Sequence, residues 1–526
     1  MMSYAEQIAE DVLAGRRDLR GSPWVLPAEL LWGASEGAMA EVALRPRIFI
    51  WAPEKLLRGW RLTCPTCKRA TSPSELSTPR VVHTLTDHYM YVTTKHICYH
   101  CASTREIMRP KVKMNADRPE VLACVPTSLR RMRHIVAAGR ALFDVEVLDH
   151  VRSMATRTSW YALADTINEV KCTSWARRFL GTQSKLFHLP DFLKVDRKSL
   201  RNLYMLDASG RREAVSQELE VEDGATILMV DWTYDAAARC SSPRLFNVIS
   251  CDQKCLASKL TKSCSPKEVE PELLKLKQRG VAPRLVYVDD HCCGVWKQLL
   301  EKLWPHVHVR LDGMHAIRRL VRTTSSTQHP WHGAFCRAVA DAIYTYDPSE
   351  QGRLQQAWER AGHGSELPAH IKKQYVPRRI TDPQRIIAAI ERVLRDFTRG
   401  GRHLLDQELL TAETLSAWGY LRRHVSAGCL CDPPDIDLNR YGKTMSIGGE
   451  DFQTVASMRG SSSLEGFHSH QKEWLGHRAT HSVEAGEALL RDGAVRWNRR
   501  RSSEASQVYD ATLLRELDQL SNARLL

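Results

Sequence analysis

Long apolar runs are missing from this chain. Nowhere does it approach the roughly 18–20 consecutive apolar residues that a bilayer-spanning helix needs. The stretch from Met1 to Arg20 carries acidic residues and no apolar h-region, which excludes a secretory signal and leads to the expectation of an intracellular protein with no membrane partner. Internal repeats and long low-complexity tracts are also absent, which excludes solenoid architectures. Acidic residues are in deficit: 61 Asp and Glu stand against 75 Lys and Arg, a formal net charge of +14. Such a surplus favours a polyanionic partner, because each phosphate neutralised releases condensed counterions. With 43% hydrophobic and 26% charged residues, the 526-residue chain has the balance of a globular protein, long enough for roughly two to four domains. Its 15 cysteines, without an export signal, point to metal ligands and buried thiols rather than a disulfide framework.

Residues 1–45 read as an N-terminal extension of short helical pieces broken by Gly21-Ser22-Pro23. Residues 46–126 form a compact, strand-rich unit with four closely spaced cysteines. Residues 127–222 turn helical, with basic and apolar positions interleaved. Within them Thr158–Glu169 and Thr173–Leu180 predict two short helices around a brief break, either a DNA-binding helix-turn-helix or an ordinary helical hairpin. From Ala225 the pattern changes. The apolar runs Thr226–Val230, Leu245–Ser250, Arg284–Val288 and Val307–Leu311 predict strands, the most apolar of them buried on both faces. Lys267–Lys277 and Val295–Leu303 predict helices between them, the alternation of an α/β sheet with parallel members. Residues 316–430 are mainly helical, most clearly at Pro383–Phe397 and Glu413–His424, and the chain from Ser461 is helical again.

Cys64-Pro-Thr-Cys67 and Cys98-Tyr-His-Cys101 are two C-x2-C pairs, each following a strand-like segment. A C-x2-C pair on a tight turn aims two thiolates at one point, and two such turns complete a tetrahedral Zn2+ site. This is the layout of a zinc ribbon, structural because four protein ligands leave no open position. His96 and His100 are alternative donors that two complete pairs make unnecessary. Cys251 and Cys255, Cys292-Cys293, and Cys429-x-Cys431 form a second site only if the fold gathers them; otherwise they are buried thiols.

Two of the apolar strands end in aspartate, Leu228-Met-Val-Asp231 and Tyr287-Val-Asp289-Asp290, and Glu465 falls in the first turn of a predicted helix within Ser461-Ser-Ser-Leu-Glu465-Gly-Phe-His468. A buried aspartate is costly unless it meets a cation or a donor. Three carboxylates converging at one sheet edge suit a pair of divalent ions. Each acid also has a plainer reading: a turn at Asp231, a helix cap at Asp289-Asp290, and a capping box at Ser462-x-x-Glu465. Asp289 is preferred to Asp290 because, like Asp231, it directly follows an apolar strand residue. Arg130-Arg131-Met-Arg133, Arg318-Arg319, Arg378-Arg379 and Arg499-Arg-Arg501 are either phosphate contacts or solvated helix faces. Trp474 and Trp497 suit packing of the last helices.

Arg310-Leu-Asp312-Gly-Met-His315-Ala-Ile-Arg318-Arg319 completes a recognisable order: Asp, a later Asp, an x-x-His motif, a long helical stretch, then Glu on a helix. The order resembles the eukaryotic DDE transposases, with Mutator-like elements the nearest group, though Asp312 stands where a cysteine is usual there. The resemblance covers roughly residues 46–126 and 225–500. It implies an α/β fold with an RNase H-like core, a mixed sheet flanked by helices, in two parts (223–325 and 456–526) around a helical insertion (326–455), preceded by the zinc-ribbon-like domain. It implies Asp231, Asp289 and Glu465 as ligands for Mg2+ or Mn2+, with Asp312 beside them as an extra metal ligand or a structural acid, and His315 contacting DNA, steadying a carboxylate, or simply satisfied at a helix start. The implied activity is DNA strand cleavage and strand transfer by a homo-oligomer on transposon ends and target DNA in the nucleus. The alternatives are a catalytically silent DNA-binding or regulatory descendant and a structure-specific nuclease.

Overall fold

The computed structural model describes residues 2–19, 21–25, 46–57, 59–103, 113–179, 189–219, 226–401, 408–460, 462–476 and 480–501. The chain divides into two compact units, Met1–Arg211 and Arg212–Leu526. Among the described residues no helix is long and apolar enough to cross a membrane.

The first unit is built on strands β1 (Trp24–Val25), β2 (Ile48–Trp51), β3 (Ser72–Leu76), β4 (Arg80–His83), β5 (His88–Ile97), β6 (Lys113–Asn115), β7 (Ile135–Ala138) and β8 (Ala141–Asp144). The ten-residue β5 is the hub. Its first half pairs in parallel with β2 and antiparallel with β4, and its second half pairs antiparallel with β3 and β6. Nine of its ten residues are buried, so its aromatic and β-branched run packs on both faces. The sheet does not stop at residues 46 and 126: β1 joins β2, and β8 joins β4 in parallel. Helices α1 (Met2–Leu13), α2 (Val145–Met154), α3 (Trp160–Phe179) and α4 (Arg197–Gly210) complete the unit. The break expected near residue 170 is not there, since α3 is one continuous helix, and Leu180 lies outside the described residues. Lys171 is 2% exposed while Val170 is 43% exposed, which inverts the polarity pattern that suggested the break.

The second unit begins with α5 (Arg212–Leu219) and a five-stranded sheet of β9 (Ile227–Thr233), β10 (Arg244–Ser250), β11 (Cys255–Thr261), β12 (Leu285–Val288) and β13 (His308–Leu311). The order is β11-β10-β9-β12-β13. The first three strands form an antiparallel meander, and β12 and β13 run parallel to β9. Helices α6 (Pro266–Gln278) and α7 (Val295–Leu303) are the crossovers that parallel pairing requires. Strand alternation sorts the two faces. Leu228, Val230, Trp232, Val286 and Val288 pack against α6, α7 and the helices that follow β13. Ile227, Met229, Leu285 and Tyr287 face the opposite way, against Leu464, Phe467, Ala494 and Trp497.

After β13 come α8 (Gly313–Val321), α9 (His332–Ile343), the short pair β14 (Thr345–Tyr346) and β15 (Arg378–Arg379), α10 (Pro348–Arg360), α11 (Ala369–Tyr375), α12 (Pro383–Gly401) and α13 (Ala412–Ser426). Phe335, Val339, Ile386, Ile390, Trp418 and Leu421 of these helices share the core of the first sheet face. A hairpin of β16 (Asn439–Ile447) and β17 (Glu450–Ser457) then leads to α14 (Ser462–Leu475) and α15 (Val483–Arg499), which cover the second face. As expected, Trp474 and Trp497 pack with Phe467 in edge-on ring contacts. Reciprocal amide bonds between Asn247 on β10 and the buried Gln471 on α14 (2.9 and 2.7 Å) lock that helix onto the sheet.

Candidate functional site: an acidic centre and two cysteine clusters

Asp231 is not at the end of its strand, as the apolar run suggested, but inside it. Strand β9 continues through Trp232 and Thr233 because β10 pairs with it to that point, Asn247 opposite Asp231. On the other side Val230 is in register with Val288, so Asp289, the residue after β12, comes alongside Asp231. Both aspartates follow the parity of Met229 and Tyr287 and so belong to the face that α14 covers. Asp231 is 6% exposed, and its carboxyl is pushed up to about 8 by burial, then by the charges of Asp289 and Asp312 and a hydrogen bond to Asp289. Burial also raises Asp289, opposed by the nearby positive fields of His315 and Arg319.

Asp290 has a different environment. Its carboxylate accepts from the backbone N–H of His291 (2.7 Å) and the hydroxyl of Tyr420 (2.9 Å), and pairs with Arg319 at 3.0 Å. These contacts hold its pKa below the usual range against its partial burial. Arg319 also donates to the carbonyl of Asp289 at 2.7 Å, so it fastens the loop after β12 from α8.

Asp312 is fully buried and caps α8, accepting from the backbone N–H groups of Met314 (2.6 Å) and His315 (3.3 Å). An Asp cap satisfies donors that a helix start leaves open. His315 Nδ1 lies 3.8 Å from Asp312 Oδ2. The x-x-His motif is thus the first turn of α8.

Glu465 does stand in the first turn of α14, and its carboxylate is ion-paired with Arg318 of α8. The side chains of residues 461–463, on which the capping-box alternative depends, lie outside the described residues. One turn further on, His468 has an Nε2 sealed from solvent without a hydrogen-bond partner. Burial and the neighbouring His315 hold this imidazole down at about 4. His468 was visible in the sequence as part of the helix motif, yet only the packing of α14 on α8 and the sheet marks it out. Among the described residues, Asp231, Asp289 and Glu465 do not draw one oxygen each within 4.8 Å of one another, as the two clusters described next do with their donors.

In the first unit Cys64, Cys67, Cys98 and Cys101 bring their sulfurs together. Cys64 and Cys101 are 3.8 Å apart, and Cys67 and Cys98 are 3.5 Å apart. The edge of a tetrahedron with Zn–S bonds of 2.3 Å is about 3.8 Å. The first pair sits on a turn in which Lys68, at φ 59, lets the chain double back, closed by the Cys64 N–H on the Arg69 carbonyl at 2.8 Å. The second pair begins where β5 ends and enters one helical turn, Tyr99–Ser103. Although burial raises the Cys64 thiol, backbone N–H groups of Cys67 and Thr66 bring it down to about 7. His96 and His100 are not part of the set. His96 is hydrogen-bonded with Thr71, Thr94 and Glu54, and His100 with Arg69.

A second cluster is in the other unit: Cys292, Cys293, His424 and Cys429, with one donor atom of each within 4.8 Å of the others. The sequence offered Cys292, Cys293 and Cys429 as possible partners but not His424. Cys251, Cys255 and Cys431 do not join them. Either cluster could hold a metal ion such as zinc.

The bases that the sequence left as either phosphate contacts or solvated helix faces have varied surroundings. Arg318 and Arg319 pair with acids of the centre, Arg133 lies over the Tyr91 ring, Arg378 over Tyr344, and Arg501 over Trp497. Arg499 is paired with Glu218 of α5. No protein-family model matches the chain, and no curated protein matches it.

Proposed function

We propose that the second unit is an RNase H-like recombinase core of transposase type that cleaves DNA and joins strands with divalent metal held by Asp231, Asp289 and Glu465. The observation that carries this reading is the placement of Asp231, buried inside β9, beside Asp289, half-buried just after the parallel strand β12, on the face where α14 bears Glu465. A meander of three strands followed by two strands parallel to the first, with helical segments before the closing acid, supports the same reading.

Hard carboxylate oxygens suit Mg2+ or Mn2+, and Asp231 and Asp289 form a close like-charged pair; Glu465 would have to leave Arg318 to join them. When bound, such ions activate a water or a 3′-hydroxyl and stabilise the leaving oxygen of an in-line phosphoryl displacement. The chain's own residues do the rest. Arg319 holds the Asp289 loop through the Asp289 carbonyl and the Asp290 carboxylate. Asp312 fixes the start of α8 and with it His315 and Arg318. Arg318 and His315 place positive charge and a titratable ring where a phosphodiester would approach the acids. The basic surplus of the chain suits DNA, and a homo-oligomer working on transposon ends in the nucleus completes the proposal.

Asp231→Asn, Asp289→Asn and Glu465→Gln should each abolish Mg2+-dependent nicking of plasmid DNA and strand transfer from a 3′-hydroxyl oligonucleotide, with unchanged circular dichroism. Full activity in all three would refute the assignment. The ion pair of Glu465 with Arg318 favours one rival, a silent DNA-binding descendant in which that pair is permanent. DNA binding without any divalent-dependent cleavage in the wild type would establish it.

A further inference from the structure

We propose that Cys292, Cys293, His424 and Cys429 form a structural zinc site that clamps the helical insertion onto the loop carrying Asp289 and Asp290. This inference is independent of the catalytic reading, since it concerns what holds the loop and not what the loop does.

The four donors come from two places far apart in the chain, and each place is shaped to deliver two of them. After β12 the backbone passes Asp289 and Asp290, takes a left-handed conformation at His291 (φ 50) and presents Cys292 and Cys293 just before α7. The turn is closed by the N–H of Gly294 on the His291 carbonyl at 3.0 Å. At the other place α13 ends, Gly428 adopts φ +72, and the N–H of Cys429 returns to the carbonyl of His424 at 3.0 Å. Glycine suits this helix-terminating position because it has no Cβ to clash there. The reversal folds Cys429 back over His424.

The geometry is that of a Cys3His cage. His424 Nδ1 lies 3.2 Å from Cys292 Sγ and 3.4 Å from Cys293 Sγ. Zinc bonds of 2.3 Å to sulfur and 2.0–2.1 Å to nitrogen set a tetrahedral S···N edge of about 3.5 Å. Cys292, His424 and Cys429 are buried while Cys293 is exposed, so an ion can enter and water has no remaining position once four ligands are in place. Three thiols and an imidazole suit a soft-to-borderline ion such as zinc and not the hard ion of a carboxylate centre.

The surrounding contacts make the cluster a clamp. Tyr420, one turn before His424 and in ring contact with it at 4.8 Å, donates its hydroxyl to Asp290 at 2.9 Å. The carbonyl of Cys429 accepts from the N–H of Leu311 at 2.8 Å, immediately ahead of Asp312. Arg310 reaches the carbonyl of Cys431 at 2.7 Å. One ion would thereby join the end of β12, the end of β13 and the end of α13, the strand ends that carry Asp289 and Asp312 included.

The test uses the full chain purified under reducing conditions, with zinc measured by mass spectrometry and Co2+ substitution read optically. The wild type should hold two equivalents. Cys292→Ser/Cys429→Ser should lose one, and Cys67→Ser/Cys101→Ser should lose the other. His424→Cys should keep two equivalents while the Co2+ ligand-field bands move toward those of an all-thiolate set; this variant keeps the test decisive if a serine variant does not fold. Hydrogen exchange of peptides covering 285–294 and 420–431 should rise in Cys429→Ser and stay unchanged in Cys101→Ser. A single wild-type equivalent that disappears with Cys67→Ser/Cys101→Ser would overturn the site, as would an unchanged Co2+ spectrum in His424→Cys. Equal exchange in the two serine variants would overturn the clamp.

Discussion

Gly460 is the point at which the chain passes from the hairpin into α14, and replacing it by alanine should loosen the acidic centre from a distance of five residues. Two effects add. The backbone at Gly460 has φ +75, a conformation that costs an L-residue roughly 1–2 kcal/mol relative to glycine. A Cβ there would also stand 3.0 Å from Oδ1, 3.3 Å from Oδ2 and 3.4 Å from Cγ of Asp312. Asp312 is fully buried and its carboxylate caps α8, so it cannot swing into solvent to make room. Disturbing that cap costs about 0.5–2 kcal/mol. The second unit should therefore lose about 1.5–4 kcal/mol in Gly460→Ala. Gly466, exposed on α14 with open space where a Cβ would go, is the control: Gly466→Ala should gain up to about 1 kcal/mol from helix propensity alone. Urea unfolding followed by hydrogen exchange of α8 peptides measures the second unit apart from the first. Stability of Gly460→Ala within about 0.5 kcal/mol of wild type would refute the argument.

Asp312→Asn should keep nearly all the stability, because Asn caps as well as Asp, whereas Asp312→Ala should lose about 1–2 kcal/mol by thermal or urea unfolding. Retained nicking by Asp312→Asn would assign this acid to the helix cap, and its loss would overturn that role. In the first unit, Lys171 Nζ is buried 3.2 Å from His83 Nδ1 and 3.3 Å from the Leu193 carbonyl. Burial lowers Lys171 to about 8, and His83 to about 3, helped there by the charge of Lys171. The unfolded chain holds more protons in both windows, so stability should rise with pH between about 8 and 10.5 and fall as pH drops from about 6.5 toward 3. Lys171→Met should raise the stability of the first unit at neutral pH by about 1–2 kcal/mol and flatten the alkaline rise in a pH series of urea midpoints.

The parallel part of the second sheet was the easiest to read from sequence. Leu285–Val288 is buried on both faces and appears as an unbroken apolar run, and Val295–Leu303 repeats every three to four residues with both ends as expected. The hairpin of β16 and β17 was not legible, because seven of the nine residues of β16 are exposed and carry no alternation. Asp231 looked like a strand end because a charged residue interrupts the apolar run; the two residues beyond it are held in the strand by pairing with β10, which a local pattern does not contain. The first cysteine cluster could be read from spacing, since each pair is local. The second could not, because His424 is 131 residues from Cys293 and sits in a helix where it reads as an ordinary polar position. The sequence offered the three acids as candidates one by one, but it did not contain the pairing of Glu465 with Arg318, which depends on how α14 meets α8.

The covering of the second sheet face by α14 and α15 has a consequence for how the protein is made. The bonds that seal this face join residues very distant in sequence: Asn247 with Gln471, Cys255 with Asn498, and Glu218 with Arg499. Loop-closure entropy must be paid before such contacts form, so contacts of this kind slow folding. As the chain leaves the ribosome, β9, β10 and β12 emerge long before their lid, and the apolar surface of Ile227, Met229, Leu285 and Tyr287 waits uncovered until Leu464, 177 residues after Tyr287 (464 − 287). A message broken before the codon for Leu464 would release a chain with that surface still bare, a substrate for chaperones and proteases, while the first unit contains its own eight-stranded sheet upstream.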